Sequence, residues 1–169
     1  MSVWKMAYKR VHIICTMFFD HQEGRRCGLH AVRNLLETAD LTSENMNDAA
    51  HACVEESKDL LHNHLSGAGD WSMDTVKKIL YDRGYDVQRA VQIRETATWA
   101  VPTMEECMED ANILGFIVQA NNHYTSIRKN DGNWVFCDSM LKAPRNVSAQ
   151  SICREALYER CNLFLVRRM

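Results

Sequence analysis

Four residues scattered along the chain, Gln22, Cys27, His123 and Asp138, are of the types that acyl-transfer chemistry requires. A cysteine nucleophile needs an imidazole to take its proton, a third group to orient that imidazole, and N–H donors for the oxyanion of the tetrahedral intermediate. Cys27 follows the polar run QEGRR and opens the segment CGLHAVRNLLE, which places it at a helix N-terminus. Unpaired backbone N–H groups and the helix dipole favour an anion there, and Arg25 and Arg26 add positive potential. Gln22, five residues earlier, is close enough in sequence to supply an amide N–H beside that of the Cys27 backbone. His123 and Asp138 lie fifteen residues apart on either side of KNDG, a turn that folds two strands back and brings base and orienting group together. Cysteine, histidine and aspartate in that order behind a glutamine follow the logic of papain-like cysteine peptidases. On this pattern alone, a hydrolase and a set of inert buried cysteines are both open.

The other candidate groups are weaker. The seven cysteines are odd in number and form no CxxC or CxxxC pair, which argues against a disulfide framework and against a structural zinc site. A reducing compartment follows, hence a cytoplasmic or nuclear location, and no metal or organic cofactor is expected. His30, one helical turn beyond Cys27, points along the helix surface and is read as packing or hydrogen bonding rather than as the base. His62 and His64 diverge on a helix and are read as exposed polar residues rather than metal ligands. The acidic run EECMED is read as a solvated helix face.

The elements that must position these groups form one globular domain. A chain of 169 residues with 46% apolar and 25% charged residues and a net charge of −2 is neither disordered nor fibrous, and not a strongly electrostatic nucleic-acid binder. No apolar run reaches the ~20 residues that span a bilayer. Residues 1–17 are expected as an N-terminal extension packed as an arm or strand, and residues 18–169 as the domain proper. Leu29, Val32, Leu35 and Leu36 share one face of the first helix; a second helix opens at Thr42 or Ser43, with Glu44 near the capping-box position, and runs toward Leu65. Ser72 caps MDTVKKILYDRG, and Gly84 stops it. Strands YDVQRAV, LGFIVQA, HYTSIRK and NWVFCDS follow, with a short helix over TMEECMED; Ser148 caps AQSICREALYER, and NLFLVRR closes the chain. Helices first and strands after indicate an α+β fold with an antiparallel sheet packed against a helical layer.

Two blocks resemble the Josephin domain. FFDHQEGRRCGLHAVRNLL is similar to its opening motif, with Gln22, Cys27, His30 and Asn34 at the motif positions, and NNHYTSIRKNDGNWVFCDSMLKAP is similar to its catalytic hairpin. GAGDWSMDTVKKILYDRGYDV and NLFLVRR resemble a middle helix and the last strand, so that the likeness runs from about Phe18 to Arg168. The resemblance implies a papain-like Josephin fold with a projecting helical arm at Leu41–Leu65. It further implies a deubiquitinase that cuts after the C-terminal glycine of ubiquitin, with ubiquitin or polyubiquitin as partner and the chain a monomer. Carried over by position, Cys27 is the nucleophile, His123 the general base and acid, Asp138 the orienting residue and Gln22 the oxyanion donor. Asp138 stands where some members have Asn, Tyr124 where Trp is frequent, and Arg26 where an apolar residue is common. Two other classes stay open: a papain-like peptidase that cuts leader peptides after Gly-Gly, and a ubiquitin-binding module without turnover.

Overall fold

A computed structural model describes residues 17–58, 60–65, 70–89, 104–158 and 161–169. The expected extension over 1–17 lies outside these residues apart from Met17, as do most of the SGAGD run and the end of YDVQRAV. Five helices and six strands are described: α1 (Cys27–Leu36), α2 (Ser43–Ser57), α3 (Met73–Asp82), α4 (residues 104–109), α5 (Ala149–Tyr158), and β1 (Tyr85–Arg89), β2 (Ile113–Ala120), β3 (His123–Asn130), β4 (Asn133–Cys137), β5 (Arg145–Asn146) and β6 (Asn162–Arg168). None of the described helices is long and apolar enough to cross a membrane.

All neighbouring strands are antiparallel, in the order β1-β6-β2-β3-β4-β5. The β3–β4 hairpin turns at Asp131 and Gly132, whose φ values of 47° and 82° are the positive pair that a tight hairpin needs. Asn121 and Asn122, at φ 49° and 60°, make the equivalent turn between β2 and β3. Asparagine enters this region at low cost because its short amide bonds locally.

The fold class is the expected α+β, but the sheet is covered on both faces rather than one. Leu29, Val32 and Leu35 of α1 pack with Met46 of α2, Val76 and Leu80 of α3, and Ile117, Phe164 and Val166 of the sheet. On the opposite face Phe116, Val118, Leu163 and Leu165 pack with Met104 of α4 and Ile152 of α5. The run LFLV in β6 is therefore apolar throughout because consecutive side chains enter opposite cores, as in strands buried on both sides.

Two local expectations are corrected. The second helix ends at Ser57, where Lys58 adopts a left-handed φ of 56°, and a separate 3-10 turn follows over Leu61–Asn63. Its capping box uses Asn45 rather than Glu44, since with Thr42 as N-cap the third helical position is Asn45.

Candidate active site

Cys27 is the first residue of α1, and Arg26 at the N-cap contributes no side-chain hydrogen bond to the turn. The amphipathic pattern of α1 draws its apolar face onto β3, and this brings the helix N-terminus to the start of that strand. A Cβ on Gly28 would lie 3.6 Å from the Tyr124 ring, which shows how closely α1 and β3 approach beside Cys27. The Asn121-Asn122 turn delivers His123 to the same place. A cleft of about 670 Å³ is lined by Gln22, Cys27, His123 and Tyr124, together with Trp71 and Met140.

Asp138 follows β4, and the hairpin register sets it opposite the first residues of β3. His123 Nε2 donates to Asp138 Oδ1 at 2.9 Å, and the Met140 backbone N–H donates to the same oxygen at 3.0 Å. With Nε2 bound to a carboxylate that only accepts, Nδ1 is the ring nitrogen left for Cys27. The His123 pKa is pushed up to about 9 from an ordinary 6.5. The Cys27 side chain beside the ring raises it most; burial pulls it down; the hydrogen bond and charge of Asp138 raise it further. Cys27 and Asp138 thus both favour the protonated form of the imidazole. Burial foremost, then the Cys27 charge, pushes the Tyr124 phenol up to about 12, so it stays neutral while its oxygen accepts from Gln119 Nε2 at 3.1 Å.

The segment carrying Gln22 is bolted to α1 and to the sheet. Asn34, fully buried, accepts the Asp20 backbone N–H at 2.7 Å and donates to the Asp20 carbonyl at 3.0 Å. The Asp20 carboxylate takes His30 Nδ1 at 2.6 Å and Arg33 at 3.2 Å, and His30 Nε2 accepts the Glu23 N–H at 3.3 Å. Arg128 on β3 adds a hydrogen bond to the Phe18 carbonyl at 2.7 Å and an ion pair to Glu37 at 2.7 Å. Gln22 itself hangs on the loop after β4. Its backbone N–H donates to the Ser139 carbonyl at 3.0 Å, its Oε1 accepts the Ser139 hydroxyl at 3.0 Å, and its Nε2 donates to the Gly24 carbonyl at 2.6 Å. All four singled-out residues thus come together, three on the cleft and Asp138 on the imidazole.

A sequence model of the Josephin family matches residues 22–166. The chain belongs to the Josephin family. That family is of deubiquitinase type, and the papain-like arrangement of a helix carrying the cysteine against a sheet carrying the histidine is the fold described above. The Ataxin-3 homolog of Caenorhabditis briggsae is 25% identical over 139 residues, an alignment that covers 78% of this chain and 42% of that protein. The chain thus spans less than half the length of this curated relative.

Within this Josephin fold several residues behave otherwise than their spacing suggested, or carry more than it showed. His64 is buried rather than exposed and its Nδ1 meets Ser72 Oγ at 3.1 Å, because α2 has already ended and the chain turns it inward; the His62 side chain lies outside the described residues. His30 is a hydrogen-bonded strut, as its position one turn beyond Cys27 suggested. Asp20 and Ser139 were not singled out as separate candidates. An acidic residue shortly before an uncapped helix start was the signal for the former; the latter acts across 117 residues and leaves no local signature.

Proposed function

We propose that this chain is a cysteine-type deubiquitinase that hydrolyses the peptide or isopeptide bond after the C-terminal glycine of ubiquitin. The observation that carries this reading is the linked set at one cleft: Cys27 at the N-terminus of α1 and the His123 imidazole both line it, and Asp138 lies 2.9 Å from Nε2 of that imidazole. Membership of the Josephin family supports the substrate class.

In this mechanism the Cys27 thiol has passed its proton to His123, and the thiolate attacks the carbonyl carbon of the terminal glycine while the π electrons move onto oxygen. The oxyanion is received by N–H groups at the start of α1 and by the Gln22 amide. As the carbon–nitrogen bond breaks, the protonated His123 gives its proton to the departing amine and leaves a thioester on Cys27. Water then attacks the thioester, His123 takes its proton, and sulfur departs as ubiquitin is released with a free carboxylate. Asp138 holds the ring so that Nδ1 faces sulfur throughout.

A ubiquitin derivative with an electrophilic C-terminus tests nucleophile and substrate class together. The wild type should gain one ubiquitin mass and Cys27→Ala none. Labelling of the alanine variant, or of neither protein, would overturn the proposal, whereas cleavage of Gly-Gly leader peptides lacking a ubiquitin body would favour the leader-peptidase class.

A further inference from the structure

The amide of Gln22 can be placed two ways about its last torsion, and only one presents an N–H to a developing oxyanion. The Gly24 carbonyl oxygen is solely an acceptor, so the end of the amide that it meets at 2.6 Å must be Nε2. The other end is then Oε1, and the Ser139 hydroxyl, 3.0 Å away, donates to it. Turned over, the amide would set its oxygen against the Gly24 oxygen, two acceptors in contact. Nε2 has two N–H bonds and Gly24 uses one of them, so the same orientation keeps the second for the cleft that Gln22 lines with Cys27.

Ser139 is well placed to hold the amide in this orientation. It is 4% exposed, so its hydroxyl does not exchange freely among waters. It grips Gln22 at two points, since its carbonyl also accepts the Gln22 backbone N–H at 3.0 Å. It belongs to the turn that folds around Asp138, where the Met140 N–H binds the Asp138 carboxylate and the Leu141 N–H binds the Asp138 carbonyl at 2.9 Å. One four-residue turn thereby orients the imidazole through Asp138 and the glutamine through Ser139.

We propose that Ser139 is a positioning residue for the oxyanion site, its buried hydroxyl tethering the Gln22 amide in the orientation that the Gly24 carbonyl selects. This deepens the hydrolase reading and rests on it. The test compares wild type, Ser139→Ala, Gln22→Ala and the double variant by turnover of a fluorogenic ubiquitin C-terminal amide and by alkylation of Cys27 with iodoacetamide. Alkylation displaces iodide from an sp³ carbon and forms no carbonyl oxyanion, so it reports the Cys27–His123–Asp138 set without the Gln22 contribution. Removing an oxyanion donor costs about 10²–10³ in rate, which is the loss expected for Gln22→Ala. Ser139→Ala removes the tether on Oε1 while keeping the amide and its Gly24 partner, and should lower kcat about tenfold, with KM and the alkylation rate unchanged. The double variant should be no slower than Gln22→Ala alone.

Full turnover in Ser139→Ala, additive losses in the double variant, or alkylation falling in step with turnover would each overturn the proposal, the last by showing that the substitution disturbs Asp138 instead. A wild type that alkylates readily but turns over no ubiquitin would remove the function reading and leave this one to a second measurement. In that case the Gln22 side-chain NH₂ resonances decide: Ser139→Ala should shift them and speed their proton exchange, and unchanged resonances would refute the role.

Discussion

Asp138→Asn separates two things that the carboxylate does. Its Oδ1 accepts from His123 Nε2 at 2.9 Å and from the Met140 N–H at 3.0 Å, and a backbone N–H can only donate. The substituted amide is therefore drawn to set its oxygen where Oδ1 now lies, and ring orientation survives while the negative charge is lost. A hydrogen bond to a charged partner is worth ~1.5–3 kcal/mol against ~0.5–1.5 kcal/mol for a neutral one, so the exchange removes about 1.4 kcal/mol of support from the imidazolium, or roughly one pKa unit. The larger contribution of Cys27 stays, so His123 should titrate about one unit below its present value of about 9 and not return to 6.5. Two assays follow the change: NMR titration of the His123 ring protons, and the alkaline limb of kcat/KM for ubiquitin amide hydrolysis, which reports the free enzyme. Both should move down by about one unit. The stability sign is fixed by linkage. A folded-state pKa raised above 6.5 contributes stability that is complete below 6.5 and disappears as the pH rises through about 9. Urea denaturation should accordingly show wild type ahead of Asp138→Asn by about 1 kcal/mol near pH 6, and level with it above about pH 9. An unmoved titration, or a turnover loss in Asp138→Asn as deep as in Asp138→Ala, would refute the electrostatic account.

Two further perturbations address the frame around the site. Asn34→Ala strands the Asp20 backbone N–H and carbonyl that Asn34 now binds, and should cost about 2–4 kcal/mol in denaturant unfolding while speeding amide exchange at Gln22; a loss under ~0.5 kcal/mol would show that the pair does not hold the segment. Gly115→Ala drives a methyl against the Ile127 carbonyl and to 2.7 Å from Leu35 Cδ1, between β3 and α1, and should lower stability by ~3 kcal/mol; an unchanged melting temperature would contradict this packing.

What the chain makes legible follows the range of the interaction. Helix α1, the Ser72-capped α3, the Asp131-Gly132 hairpin and the strand NLFLVRR are written in contiguous residues, through periodicity, caps and turn chemistry, and each has nearly the bounds that those signals give. The pairing of His123 with Asp138 is legible for the same reason, since one tight turn sets its register. The second helical layer was hidden because LFLV is equally apolar toward either core, and the short α4 gives little periodicity. The Asn121-Asn122 turn carried a readable signal, two adjacent residues tolerant of positive φ, that the strand pattern on either side obscured. His64 was misplaced because its surroundings depend on where α2 stops, and a left-handed Lys58 is not something lysine advertises. The anchors Asp20–Asn34 and Gln22–Ser139 join residues 14 and 117 apart, and no spacing rule connects partners that only tertiary packing brings side by side.

The strand latest in the chain, β6, lies second in the sheet, between β1 and β2, and its Phe164 and Val166 enter the same core as Cys27. A chain that has emerged up to Asp138 therefore holds Gln22, Cys27, His123 and Asp138 but not the wedge that closes the scaffold around them. Both flanks of the missing strand remain open, and the core beneath the thiol is unfilled. The core beneath Cys27 is thus complete only once Val166 has joined the sheet.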